Sequence, residues 1–317
     1  MNIRYFIFFL LLLPACVSKK KQSIQHNILI LKDSYCKAPL RYNYTNKMPS
    51  YNSDSILQAN RHLSKQFTDQ SILILNALGT LDEVEQILQV KKDTSLAAKV
   101  KVLQLKNAIN SKITIALTEL DAVAAEYDCE GERVSQMAAY VENINDSRND
   151  RLILYSIITG AATSVAGSLV SSQGLSNAIN IGGGVAGAGL GLATMNPKGK
   201  KVAFIHKRNI LRDVWEEKLL SANFPPFVWY MYTESHFSSK ENTSIISGMK
   251  ERWLHFHFDD DTTAAKHSIL FGDGGLYRAI DLNSRAAMLN QMQSATRTIN
   301  QNFNYLLLDL DKLILDY

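Results

Sequence analysis

The chain of 317 residues sets 34 lysines and arginines against 30 acids, a near-neutral balance without a basic stripe, which argues against a nucleic-acid partner. Hydrophobic residues make up 46% of it, enough for a sizeable buried core. Its three cysteines, Cys16, Cys36 and Cys129, lack the CxxC spacing of a metal pair.

Residues 1–15 carry one early charge, Arg4, and then an apolar run from Tyr5 to Leu13. That is the layout of an export signal, and it is too short to span a bilayer as a helix. The stretch Leu13-Pro14-Ala15-Cys16 resembles the bacterial lipobox, although that motif prefers Ala, Ser or Thr where Pro14 stands. The resemblance implies acylation of Cys16, with palmitate among the chains. Val17 in place of an aspartate implies the outer membrane as destination. Lys19, Lys20 and Lys21 then form a basic cluster, either against anionic lipid or as a solvated tether. In an oxidising compartment Cys36 and Cys129 are candidates for a disulfide, with two free or buried thiols as the other account.

Residues 16–51 read as a lipidated tether and an irregular strap, in which Tyr42, Tyr44 and Tyr51 suit packing on a folded body. Over 52–151 the spacing predicts a helical hairpin or bundle. Ile56, Leu63, Phe67, Ile74, Leu78, Leu81 and Leu88 form one stripe, interrupted at Gly79-Thr80, where Thr80 and Glu83 have capping-box spacing. From Thr94 a longer helix carries Leu96, Val100, Leu103, Ile113, Leu117, Leu120 and Val123 as a second stripe, with a possible kink at Gly131. The polar run Asn143 to Arg151 reads as a water boundary.

Residues 152–197 are uncharged and rich in glycine. Gly160, Gly167 and Gly174 recur every seven residues, and Gly183, Gly187 and Gly191 every four, so small residues share helix faces where another backbone can come close. This resembles the glycine-zipper hairpins of bacterial envelope proteins, which implies a membrane-inserted helical hairpin. Burial inside an oligomer and an irregular loop are the other accounts, because Gln173, Asn177 and Asn180 are costly against lipid.

Residues 198–317 read as an α-rich C-terminal domain. Asn209 to Trp215 is a helix, Phe224 to Trp229 an extended aromatic clamp, and Phe271 to Gly275 a turn without the context of a phosphate loop. A long helix runs from Leu282 to about Leu315, with Leu289, Met292, Ile299, Phe303, Leu306, Leu310 and Leu313 on one face. His255-Phe256-His257-Phe258-Asp259 resembles the HxHxD core of metallo-β-lactamase-type hydrolases, with Asp260 where that family has another histidine; a surface turn with an acidic tip is the simpler account. Segments around Asp128 to Arg133, the glycine hairpin, Arg208 to Trp215 and Phe224 to Trp229 resemble an uncharacterised group of bacterial envelope proteins.

The expected fold is mainly α: a long-helix bundle with a glycine-rich hydrophobic hairpin and a small α-rich C-terminal domain. The expected function is a non-enzymatic outer-membrane lipoprotein with a structural or assembly role, self-associating through the hairpin and facing the periplasm. Its expected partners are membrane lipid, further copies of itself and other envelope proteins, and no metal or cofactor is expected. A pore or export-channel subunit and an envelope metal-dependent hydrolase are the alternatives.

Overall fold

The structure, a computed structural model, describes residues 28–31, 34–44, 52–169, scattered positions between 172 and 190, 199–238, 240 and 242–315. The expected signal peptide, Cys16 and the lysines after it lie outside these residues. Two compact units are present, each assembled from separated stretches.

The larger unit comprises Asp33–Val134, Ile205–Gly274 and Asn283–Tyr317. Helix α1, Ser53–Ala59, opens on Asn52, whose side chain accepts the Ser55 N–H at 3.0 Å. A 3-10 turn, Arg61–Lys65, separates it from α2, Asp69–Ala77. The part of the apolar stripe before Gly79, predicted as one helix, is therefore broken, because Thr68 starts a new helix by accepting the Ser71 N–H at 3.3 Å. After α2 the chain reverses at Gly79, φ 61°, a left-handed position that suits glycine. Helix α3, Leu81–Val90, follows. The capping box does not form there. Thr80 instead donates its hydroxyl to the Leu75 carbonyl at 3.1 Å, and Glu83 lies 3.7 Å from Lys112.

Helix α4 runs from Leu96 to Leu169 without a break. Of the predicted stripe Ile113, Leu120 and Val123 are buried, in line with Ala98, Val102, Leu105, Ile109 and Ala116, whereas Leu96, Val100 and Leu103 are exposed. Both rows have three-and-four spacing, so periodicity alone cannot choose between them; the row with alanines is the one that meets the core. Nor is Gly131 a kink. A Cβ there would come within 2.9 Å of Asn290 Oδ1 and 3.6 Å of Leu289 Cβ, so the glycine lets α4 approach the last helix closely.

Helices α5, Ile210–Trp215, and α6, Pro226–Thr233, come next. The expected extended clamp is thus the entrance of a helix, with Pro226 at its first turn, where a missing N–H costs nothing. Its aromatics fill the core: Phe224 stacks on Trp229 at 4.9 Å, and Phe227 meets Phe303 at 5.9 Å. Helix α7, Ile245–Phe258, α8, Thr262–Lys266, and α9, Ala279–Leu315, complete the set. The predicted apolar face of α9 is buried throughout, from Leu289 to Leu313. Asp309 on α9 accepts the Thr68 N–H at 3.0 Å and the Ser71 hydroxyl at 2.8 Å, tying the last helix to the start of α2.

The smaller unit comprises Met1–Lys32, Ser135–Phe204 and Gly275–Leu282. Most of a three-stranded sheet lies in it, in the order β1-β2-β3, from Ile28–Ile30, Lys201–Ile205 and Gly274–Tyr277. Strands β1 and β2 are parallel, with Ile28 opposite Lys201. This sheet is absent from the expected fold. The alternation of exposed Lys201 with buried Val202 and Phe204 is its signal, masked by short length.

Among the described residues the glycine-rich membrane hairpin of the expected fold is not present. Among the described residues no helix is long and apolar enough to cross a membrane. Residues 152–169 are the end of α4, and the run Asn143 to Arg151 is ordinary helix rather than a boundary, having no proline or glycine to stop it. Hydroxyls dilute the apolar character there: Ser156, Thr159 and Thr163 each bond to a carbonyl of the preceding turn, at 2.7 to 2.9 Å. Among the zipper positions, Gly160 and Gly167 are helical residues of α4, and Gly174 has open space where a Cβ would stand. Gly183 lies hard against Thr163, where a Cβ would overlap the threonine side chain. Gly187 and Gly191 lie outside the described residues.

Candidate functional site

The strap and the bundle core show how the larger unit is held. Cys36 and Cys129 form a disulfide, which joins the strap to α4. Downstream, Tyr42 donates its N–H to Glu119 Oε1 at 2.8 Å, and the Tyr44 hydroxyl donates to Glu119 Oε2 at 3.0 Å. Burial raises the Glu119 pKa, against the pull of these two bonds, and burial followed by the Glu119 charge raises that of Tyr44. Deeper in, the hydroxyls of Tyr127, Tyr232 and Thr296 link α4, α6 and α9, with Thr296 donating to the Met292 carbonyl at 2.7 Å. Burial pushes the Tyr232 hydroxyl up to about 12. This is a packing network: its hydroxyls are buried and bonded to one another.

An open groove of about 990 Å³ lies between α7 and α9 in this unit. Its floor is one face of α9. Asn290, Ser294, Thr298, Gln301 and Tyr305 follow in steps of four, four, three and four, so the helix presents them together. Gly248, Glu251, Arg252 and Phe256 of α7 form the other wall, and His236, Phe237, Ser238 and Lys240 close one end. The lining is chiefly carboxamides and hydroxyls. Its charged side chains are Lys240 and Glu251, paired at 2.7 Å, and Arg252.

Two features make this groove chemically unfinished. Gln291, which lines it, has its Oε1 buried with no hydrogen-bond partner, a state that costs free energy unless a donor arrives. Phe256 on its wall and Tyr305 on its floor stand 70% and 54% exposed. At its end, Glu234 accepts from His236 Nδ1 at 2.7 Å and from the His236 N–H at 3.2 Å, and it is also bonded to Ser53. Burial would raise the Glu234 pKa, but those bonds hold it below the usual carboxylate value, so the carboxylate stays ionised and fixes the imidazole.

The HxHxD resemblance fails on geometry. His255 and His257 sit on helix α7, where residues two apart point to different sides, unlike the alternate residues of a strand. His255 Nδ1 meets Asp260 at 3.0 Å on the surface, while His257 Nε2 is buried without a partner and burial lowers its pKa. Among the described residues no group of three or more His, Cys, Asp or Glu side chains could hold a metal.

The fold and groove define a disulfide-stapled helical-bundle protein with a polar cleft. No protein-family model matches the sequence, and neither the curated proteins nor the solved structures give a match. The resemblances to lipobox lipoproteins and to glycine-zipper envelope proteins therefore find no family behind them. The outer-membrane assembly role, like the pore alternative, needed a membrane-spanning hairpin, and the absence of such a helix among the described residues overturns both. The groove residues escape a sequence reading that looks along α9 only for its apolar row. The uncharged polar row beside it, at the same spacing, is the available signal.

Proposed function

We propose that this chain is a non-catalytic binding protein of an oxidising, exported compartment, and that its ligand lies in the α7–α9 groove. The observation that carries the reading is Gln291, a residue of the cleft lining whose Oε1 is buried without a hydrogen-bond partner. Buried acceptors are ordinarily satisfied, so an orphan beside a cleft suits a group kept for an incoming donor. The Cys36–Cys129 bridge supports the compartment, since disulfides persist where the surroundings are oxidising.

The test needs no ligand. A residue retained for binding is not optimised for stability, so Gln291→Met, which keeps the length of the side chain and removes the orphan, leaves the ligand-free protein unchanged or more stable by up to about 1 kcal/mol in urea denaturation. A loss of more than about 1 kcal/mol would show that the amide holds the bundle together and would overturn the reading.

A further inference from the structure

The chemistry of the groove narrows its ligand, provided that the groove is the binding site of the protein. We propose that the α7–α9 groove takes a neutral oligosaccharide built of pyranose rings.

The groove runs between two helices, whose interior backbone donors and acceptors are consumed within each helix. Recognition there falls to side chains. An extended peptide is ordinarily caught by a free strand edge, an amphipathic helix by an apolar groove, and a phosphorylated or acidic chain by clustered arginines. None of these lines this cleft. Gln291, Asn290, Gln301 and Asn302 each present a carboxamide, which donates and accepts at once. A sugar hydroxyl also donates and accepts, so a row of carboxamides matches a row of hydroxyls without requiring charge on either side. The orphaned Gln291 Oε1 calls for an O–H or N–H donor.

Phe256 and Tyr305 supply the second half of the match. A pyranose is polar around its rim and apolar on the face where its axial C–H groups point, and such a face lies well on an aromatic ring with a free side. Both rings are more than half exposed, and both line the same groove as the carboxamides. Tyr305 adds a hydroxyl at its rim, the usual position of tyrosine where an apolar surface meets a wet one. Lys240 and Glu251 pair with one another, which leaves Arg252 as the unbalanced charge of the lining; one guanidinium can donate to sugar hydroxyls and falls short of the cluster that an acidic chain calls for.

The experiment is calorimetric titration of the full chain with chitotetraose and cellotetraose, alongside an uncharged blocked peptide of similar length and an acidic oligosaccharide. Saturable binding of a neutral sugar is expected, weakened about tenfold or more by Tyr305→Ala and by Phe256→Ala, and retained by Tyr305→Phe. Both rings are exposed, so circular dichroism of the alanine variants should match the parent. Binding of the peptide or the acidic sugar in preference to the neutral sugars, or no sugar binding at all, overturns the ligand class. So does sugar binding that neither aromatic variant weakens, since the sugar would then lie elsewhere. The stability of Gln291→Met is read without any ligand, so it separates failure of this proposal from failure of the binding reading.

Discussion

His206 is buried beside three guanidinium groups. Burial first, and then the charges of Arg285, Arg133 and Arg212, push its imidazole down to about 2, so it is neutral in the folded chain. The unfolded chain protonates near the ordinary histidine value of 6.5. Below that pH the unfolded state binds more protons, and stability falls as pH drops from about 6.5 towards 2. Each pH unit in this window is worth about 1.4 kcal/mol, so between pH 7 and 5 this site alone removes about 2 kcal/mol. Urea midpoints of His206→Gln at the two pH values should lack that loss, whatever the substitution does to absolute stability. Gly131 gives a second prediction. Its missing Cβ faces the end of an exposed, flexible Asn290 side chain, so Gly131→Ala is expected within about 1 kcal/mol of the parent, helix propensity offsetting the contact. Gly131→Leu has no room against Leu289 and should cost about 1–3 kcal/mol in thermal denaturation.

At the scale of elements, helix starts are where local chemistry and tertiary structure compete. Thr68 and Thr80 each precede a helix, and only the first caps with its side chain. Thr68→Ala should cost about 1 kcal/mol by equilibrium unfolding, because the Ser71 N–H loses its acceptor. Glu83→Ala should cost under about 0.5 kcal/mol, since Glu83 makes no capping bond and its pairing with Lys112 is partly exposed. A loss at Glu83 equal to that at Thr68 would contradict this account. The reason for the difference is the turn before α3: Gly79 in the left-handed region brings the Thr80 hydroxyl back to the Leu75 carbonyl, and a hydroxyl so placed ends α2 rather than starting α3.

At the scale of the molecule, the longest-range covalent constraint is the bridge between Cys36 and Cys129, 93 positions apart. Closing so long a loop restricts the unfolded chain and stabilises by about 4 kcal/mol in the chain-entropy account. Dithiothreitol, or the double variant Cys36→Ser with Cys129→Ser, should lower the unfolding free energy by about 2–5 kcal/mol and loosen the strap that carries Tyr42 and Tyr44. Hydrogen exchange at Tyr42, whose N–H is bonded to Glu119, reports that loosening directly. Thiol trapping in intact cells checks the compartment: an exported chain should show both cysteines protected until a reductant is added.

Several features could be read from residue order alone. The apolar row of α9 is an example, because seven large aliphatic and aromatic residues at helical spacing leave one side of a helix no stable place except a core. The Asn209 start of α5 is another, a side chain satisfying an N–H two residues away. Where two readings shared one local pattern, only tertiary structure decided. The rows of Leu96 and Ala98 on α4 are equally periodic, and burial fell to the one whose small residues let a neighbour come near. Phe224 to Trp229 reads as an extended clamp along the chain, and in the fold Pro226 opens a helix there. The uncharged stretch after Arg151 was long enough to span a bilayer, yet hydroxyls thin the apolar surface of residues 152–169, which continue α4. The groove lies furthest from sequence, since Phe256 and Tyr305 are 49 positions apart and come to line one cleft only through the tertiary fold. Spacing along a chain specifies what a helix can offer on each face; which faces meet is set by the free energy of burying them together.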